Sequence, residues 1–233
     1  DPEAYFQVAL YTGNGSTQSI TLPGDTDMQP DLVWTKGRNQ TRYHVVTDSV
    51  RGTNSQIYPN SSEDENTYTN SVTAFDSDGF SVGSENDSNG NTNTFVAWCW
   101  KESATSGFDI VSFTGSGSAR TISHSLSAVP AVMIIKNRSA NLMSFRVYHH
   151  KNTSAPETDY LNLDFTDATA DDATTWNDTA PTSSVFSVGT SDQTNKNTDS
   201  LITYLWSEKQ GFSKFGTYEG NGNADGTFVY TGF

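Results

Sequence analysis

One cysteine, Cys99, stands in a chain of 233 residues, so no intrachain disulfide can form and a cysteine-based metal site is excluded. Basic residues are scarce as well. Thirteen Lys and Arg oppose 27 Asp and Glu, for a formal charge of −14. A chain that acidic lacks the positive face that nucleic acids and anionic membranes require. No long apolar run occurs; the longest, from Val129 to Ile135, contains Pro130 and falls far short of the ~20 residues of a membrane helix. No charged-then-apolar leader opens the sequence, which begins at Asp1 and reads as a fragment or a processed product. Hydrophobic types reach only 33%, yet aromatics supply 12%, which argues against a disordered chain.

What is present is repetition. Phe6-Gln-Val-Ala-Leu-Tyr-Thr-Gly-Asn-Gly-Ser16 reads like Phe108-Asp-Ile-Val-Ser-Phe-Thr-Gly-Ser-Gly-Ser118, and again, with one added residue, like Phe212-Ser-Lys-Phe-Gly-Thr-Tyr-Glu-Gly-Asn-Gly222. Leu32 to Arg38 matches Val132 to Arg138, Gly79 to Gly83 matches Val185 to Gly189, and Phe95 to Trp100 matches Leu201 to Trp206. The matches keep their order, which is the signature of a repeat architecture. They divide the chain into 1–106, 107–211 and a stub, 212–233, that starts a third copy. The stub holds Phe212, Phe215, Tyr218, Phe228, Val229, Tyr230 and Phe233. Two strands alone are marginal, so it is expected to pair with the second copy's sheet edge or with another chain.

Within each copy the local signals are strands. Phe6, Val8 and Leu10 alternate with Gln7 and Ala9 before a Gly-x-Gly turn, and short alternating runs bounded by Gly, Asn, Asp and Ser mark a sandwich or barrel. Asp76-Ser-Asp-Gly79 and Asn86-Asp-Ser-Asn-Gly90 read as hairpin turns. The segment 166–176 has room for one helical turn. Phe95 to Trp100 is apolar on both faces, which predicts a central strand covered on both sides with Trp98 and Trp100 in the core. The expected fold is all-β: tandem antiparallel β-sandwich repeats, with residues 6–100 superposing on 108–206.

Chemistry is harder to find. The matched polar positions (Gly13/Gly115/Gly220, Gly15/Gly117/Gly222, Lys36/Lys136 and Arg38/Arg138) include no carboxylate pair and no nucleophile–base pair. His149 and His150 are adjacent, a spacing that does not place two rings on one face. Asp76-Ser-Asp-Gly79 starts like a calcium loop, but the glycine and the glutamate fall at the wrong positions. It reads first as a tight turn, with a calcium site at Asp76, Asp78 and Asp87 as the alternative. The Lys-x-Arg pairs, Lys36/Arg38 and Lys136/Arg138, each follow an apolar strand and mark its exit into solvent. The alternative is that these cations, beside Tyr43 or Phe145, face a sugar acid or a neighbouring subunit. No catalytic motif is found, so the chain reads as a non-enzyme without a required cofactor.

Several of these runs carry a resemblance. Tyr11-Thr-Gly-Asn-Gly-Ser16, Pro30-Asp-Leu-Val-Trp-Thr-Lys-Gly-Arg38, Asp48-Ser-Val-Arg-Gly52, Phe75 to Gly83 and Phe95 to Lys101 are similar to the repeated β modules of phage tail-fibre proteins, common in marine and cyanobacterial phages. Arg120 to His124, Val129-Pro130, Ile134 to Ser139 and Phe145 to His149 resemble the neighbouring repeat in such arrays. The resemblance implies jelly-roll or concanavalin-like sandwiches, a virion tail-fibre location after assembly in the bacterial cytoplasm, and contact with other virion tail proteins. It also implies host attachment and, as in many fibres, a homotrimer. Binding of a host-surface glycan would then use aromatic faces, with Trp176, Tyr43 and Tyr68 as the expected platforms. Spacing the fibre, or cleaving a polysaccharide, are the competing roles.

Overall fold

Alternation sets the first strand: in β1 (Phe6–Thr12) Gln7 and Ala9 are buried while Val8 and Leu10 face out. The first half continues with β2 (Gln18–Thr21), β3 (Leu32–Gly37), β4 (His44–Asp48), the short β5 (Ser55–Gln56) and β6 (Asn66–Thr67), β7 (Val72–Asp76), β8 (Gly79–Val82), the one-turn helix α1 (Asn86–Asn89) and β9 (Thr94–Trp100). The second half holds β10 (Phe108–Thr114), β11 (Arg120–Ser123), β12 (Val132–Asn137), β13 (Arg146–His149), β14 (Asp159–Asn162), β15 (Ala170–Asp171), α2 (Ala173–Trp176), β16 (Val185–Val188), α3 (Asp192–Asn195) and β17 (Ser200–Trp206). This computed structural model describes residues 1–232; Phe233 lies outside them.

The architecture is all-β, with every strand pairing antiparallel. In the first half a sheet ordered β1-β9-β3-β4 is backed by β2-β8-β7; in the second, β10-β17-β12-β13-β14-β15 is backed by β11-β16. The registers run in parallel: Phe6 lies opposite Trp100 as Phe108 lies opposite Trp206, and Leu32 opposite Trp100 as Val132 opposite Trp206. The Asp76–Gly79 hairpin closes through Ser77 and Asp78 as the sequence indicates. Asn86 to Gly90 differs from expectation. It forms α1, because the Glu85 side chain caps the amide of Asp87 and starts a helical turn.

A buried asparagine pins the first turn of each half. Asn89 Nδ2 donates to the carbonyls of Ser16 and Gly83, both at 2.5 Å, and Asn195 Nδ2 to those of Ser118 and Gly189, both at 2.7 Å. The turn comes so close that a side chain at Gly13 would sit 2.3 Å from the Gly90 carbonyl oxygen, and one at Gly115 2.0 Å from that of Lys196.

Three apolar clusters hold the layers. One lies between the two sheets of the first half around Phe80, Val33 and Ala97, and one in the second half around Phe186, Met133 and Trp176. The third joins the halves: Leu32, Val46 and Ile57 pack with Phe108, Ile110, Phe145, Ile202 and Tyr204, flanked by Trp34, Trp100, Ile134 and Trp206. So β9 is covered fully on one face only. Phe95, Ala97 and Cys99 are at 0% exposure, whereas on the other face Trp100 meets the second half and Trp98 stays half-buried.

A polar clamp crosses the same seam. The buried Arg51 guanidinium donates to Asp48, to Glu65 Oε2 at 2.9 Å, to the Val46 carbonyl at 3.0 Å and to the Tyr204 hydroxyl at 3.1 Å. Tyr204 donates in turn to Asp48 Oδ2 at 2.6 Å, and Arg138 grips both Glu65 oxygens at 2.7 and 2.8 Å. Burial alone works against the Arg51 charge, but Tyr204, Asp48 and Glu65 hold it above its ordinary value.

The stub forms no strand among the described residues. An isolated bridge links Lys209 and Ser213, Phe212 and Phe215 are half-buried, and residues 216–232 are exposed, with Phe228 at 87%.

Removing one partner of a buried ion pair typically costs ~3–5 kcal/mol. Glu65→Ala, which strips Arg51 and Arg138 together, should lower unfolding free energy in urea by about 3 kcal/mol, and Glu65→Gln by less. A loss below about 1 kcal/mol would show that the seam does not rely on this carboxylate.

Candidate functional site

The first half carries a polar hollow where three loops meet. The β3–β4 loop brings Thr41, Arg42 and Tyr43; the segment after β5 brings Tyr58 and Asn60; α1 brings Asp87. Thr41, Arg42, Tyr43, Asn60 and Asp87 line a depression of about 270 Å³. Tyr43 is 38% exposed and packs on the buried Tyr58 ring with centroids 4.7 Å apart; its hydroxyl donates to Glu63 Oε1 at 3.3 Å. Tyr68, 41% exposed, lies beside the Tyr58 hydroxyl, which burial and Tyr68 together hold above its ordinary pKa. Asn60 Oδ1 accepts the His44 amide at 2.9 Å, fixing the loop's exit.

Charge in the hollow is balanced. Arg42 Nη1 lies 3.6 Å from Asp87 Oδ1. Burial and the neighbouring Glu85 push the Asp87 carboxyl up, while Arg42 and Lys36 pull it down. Lys36 Nζ donates to the Gly37 carbonyl at 2.9 Å, and Arg38 is exposed with no side-chain partner among the described residues. Aromatic faces, a carboxylate, an amide and a guanidinium thus stand around one concavity. That set suits a ligand with many hydroxyls and apolar ring faces.

The structure brings together Tyr43, Tyr68 and Asp87 from the sequence-predicted residues, with Lys36 nearby. Of the others, Trp176, Lys136 and Arg138 are engaged elsewhere. Trp176 is 1% exposed, in the second core, with Nε1 donating to the Asp159 carbonyl at 3.0 Å, so it cannot be the exposed platform expected of it. The cause is α2, whose single turn, capped by Asp172, swings the indole inward. Lys136 and Arg138 are not free either; Arg138 is half-buried and Lys136 enclosed. Arg138 is held by Glu65, and Lys136 is at 0% exposure, donating to the Met143 carbonyl and lying 4.9 Å from the Phe145 ring centroid. Loop 60–65 of the first half covers this pair, with Met143 N donating to Ser62 O at 3.2 Å and Glu65 N to Arg138 O at 3.0 Å.

The structure does not gather the three carboxylates of the calcium alternative into one group. Asp76 Oδ2 accepts the Ser81 hydroxyl at 2.7 Å in the hairpin, while Asp87 pairs with Arg42 across the hollow. Among the described residues no group of three or more His, Cys, Asp or Glu could hold a metal ion. Sequence reasoning missed Arg42, Tyr58 and Asn60. The one usable signal was Arg42 beside Tyr43 in the loop between two strands.

A second concavity, of about 380 Å³, is almost wholly apolar and runs between the large sheets; Phe6, Trp34, Trp100, Phe108, Trp206 and Phe212 are among its walls. A third feature is a touching carboxyl pair at the junction of the halves. Burial and Asp109 push Glu102 well above the ordinary carboxylate range; Asp109 is held low, against the effect of burial, by Glu102 and by Ser125. No helix among the described residues is long and apolar enough to cross a membrane.

The chain belongs to a family described as a domain of unknown function (DUF7483), whose model matches residues 1–233. No curated protein and no solved structure matches it.

Burial pushes the Lys136 pKa down to about 8, although Asp164, Asp64 and Glu63 act in the opposite direction. The unfolded chain keeps that proton to its ordinary 10.5, so between the two values the unfolded state binds more protons and this group's contribution to stability rises with pH. Lys136→Met should therefore be more stable than the wild type near neutral pH. Its lead should shrink as urea midpoints are taken upward through that window. A constant difference would mean that Lys136 titrates normally.

Proposed function

We propose that this chain is a non-catalytic module of a phage tail fibre that binds a host cell-surface glycan in the hollow formed by Tyr43, Arg42, Asn60 and Asp87, with Tyr68 at its side. The observation that carries the binding part is the exposed Tyr43 beside an ion pair and an amide in one concavity, with the exposed Tyr68 next to the Tyr58 ring on which Tyr43 packs. Aromatic rings offer an apolar body with a polar tip, which matches the two kinds of surface on a sugar. The tail-fibre part rests on the ordered motifs from Tyr11 to Lys101 and from Arg120 to His149, and on the acidic, Ser/Thr/Asn-rich composition. Other virion tail proteins would then flank the module on the fibre.

A purely structural spacer is the second reading. The engagement of Lys136, Arg138 and Trp176 favours it: Arg138 is spent on Glu65 across the seam, and Lys136 and Trp176 on the interior of the second half, so none is left to form a second site. Polysaccharide cleavage has less support. Glycosidases need carboxyls ~5 Å or more apart around the scissile bond, and the displaced pair here, Glu102 and Asp109, is hydrogen-bonded to itself with Asp109 only 2% exposed.

A glycan array with the purified chain, run beside a reducing-sugar release assay, separates these roles. Binding without release is expected, and Tyr43→Ala or Tyr68→Ala should weaken it tenfold or more, about 1.4 kcal/mol. A blank array supports the spacer; release of sugar from a surface polysaccharide overturns the non-catalytic reading.

A further inference from the structure

The outward face of the first large sheet is only half covered. At the β3–β4 side Leu32 and Val46 are buried against the second half. At the β1–β9 side Val8 is 37% and Leu10 64% exposed, with Val96 and Trp98 half-buried beside them. These four residues are register neighbours: Val8 lies opposite Trp98 and Leu10 opposite Val96. They form a continuous apolar surface on the sheet rather than scattered side chains.

The second half shows what such a face does when it is satisfied. By register, Ile110 and Tyr204 stand where Val8 and Trp98 stand, and Ser112 and Ile202 where Leu10 and Val96 stand. Ile110, Tyr204 and Ile202 are 5%, 4% and 0% exposed, because a sheet of the same chain lies over them. The one exposed member of that set is a serine. In the first half the corresponding exposed position is a leucine, the choice of a covered surface and not of a solvated one.

The open face also runs straight on from an interface that already exists. Phe6 and Trp100 lie on it next to Val8 and Trp98, and both line the aromatic cleft against the second half. Trp34 extends it on the other side, with its ring 6.4 Å from that of Trp98. A sheet face that continues an established sheet-on-sheet seam, with the same residue types, calls for another sheet of the same kind.

We propose that the Val8–Leu10–Val96–Trp98 face is the docking surface for a second copy of this chain. The copy would extend the apolar seam that Phe6, Trp34 and Trp100 begin. This interaction does not depend on the glycan reading, since the tyrosine hollow is built from different loops.

Sedimentation or light scattering across the micromolar range tests it. The chain of 25.4 kDa should self-associate with rising concentration. Leu10→Lys should weaken association at least a hundredfold, and the double change Val8→Ser with Leu10→Ser should weaken it tenfold or more, whereas Ser112→Lys on the covered half should leave it unchanged. Thermal melts identify any variant that fails to fold; the serine pair then carries the comparison, since it adds no charge and at Leu10 installs the residue type found at position 112. A wild-type chain that remains at monomer mass overturns the proposal, including one that binds an apolar dye at this face and so keeps it for another partner. Self-association that Leu10→Lys leaves intact overturns it too.

Discussion

A guanidinium at no exposure must find partners for its donors, and Arg51 finds them only where both halves of the chain meet. Its oxygen partners are Asp48, Glu65, Val46 and Ser55 from the first half and Tyr204 from the second. Apolar packing between Leu32, Val46, Ile57, Ile202 and Phe145 supplies attraction but little direction, because burial of apolar area is insensitive to sliding. The clamp removes that freedom. A shift of one residue between the sheets would strand a buried charge, a cost of several kcal/mol. The relative placement of the two large sheets, the burial of Lys136 and the coverage of Phe145 all follow from that constraint.

The clamp also explains why matched residues end in unlike places. Lys36 and Lys136 occupy the same position in their strands, yet one reaches the loop carbonyls of Gly37 and Gln40 and the other is enclosed. Tyr43 is exposed, whereas Phe145, in the corresponding stretch, is at 1%. Loop 60–65 makes the difference: it leaves the first half at Asn60, crosses the seam, and lies on residues 138–143 of the second. The first half thereby covers the second and keeps its own β3–β4 loop open.

Much of the fold was legible in the sequence, because its signals are local. Alternation in Phe6–Thr12, the Asp76–Gly79 turn and the Gly-x-Gly punctuation each act within a few residues. The helical turn in 166–176 was legible too, but not its consequence, since the Trp176 indole is buried against residues such as Tyr148 and Phe186 that no local pattern connects to it. Arg51 and Glu65 were unreadable for a related reason. Both sit in polar stretches where an ionised side chain belongs to solvent by default, and only the second half's arrival takes them out of it. The hollow was half legible: residue type singled out Tyr43 and Tyr68, while Arg42, Asn60 and Tyr58 needed the loops to be placed.

The aromatic cleft ties the repeat to the assembly of the sheets. Phe6, Phe108 and Phe212 open the three copies of the repeated motif, and all three line this one cleft. Trp100 and Trp206, which close the first and second copies, stand there with ring centroids 6.2 Å apart, and Phe108 lies 5.1 Å from Trp206. The first half is joined to the second where one ends and the next begins, by the contact of Trp100 with Phe108 at 6.3 Å between ring centroids. The stub obeys the same rule as far as it goes. Its Phe212 reaches the cleft, and Gly222 keeps the left-handed φ of +66° that Gly15 and Gly117 show at +66° and +67°. Around Gly15 and Gly117 that turn is packed against Asn91 and Asn197, while at Gly222 a side chain would meet nothing within 4 Å. The local instruction for a copy is thus present in its first eleven residues. The strand it should form needs the sheet neighbours that the first two copies draw from about ninety residues further on, β9 for β1 and β17 for β10.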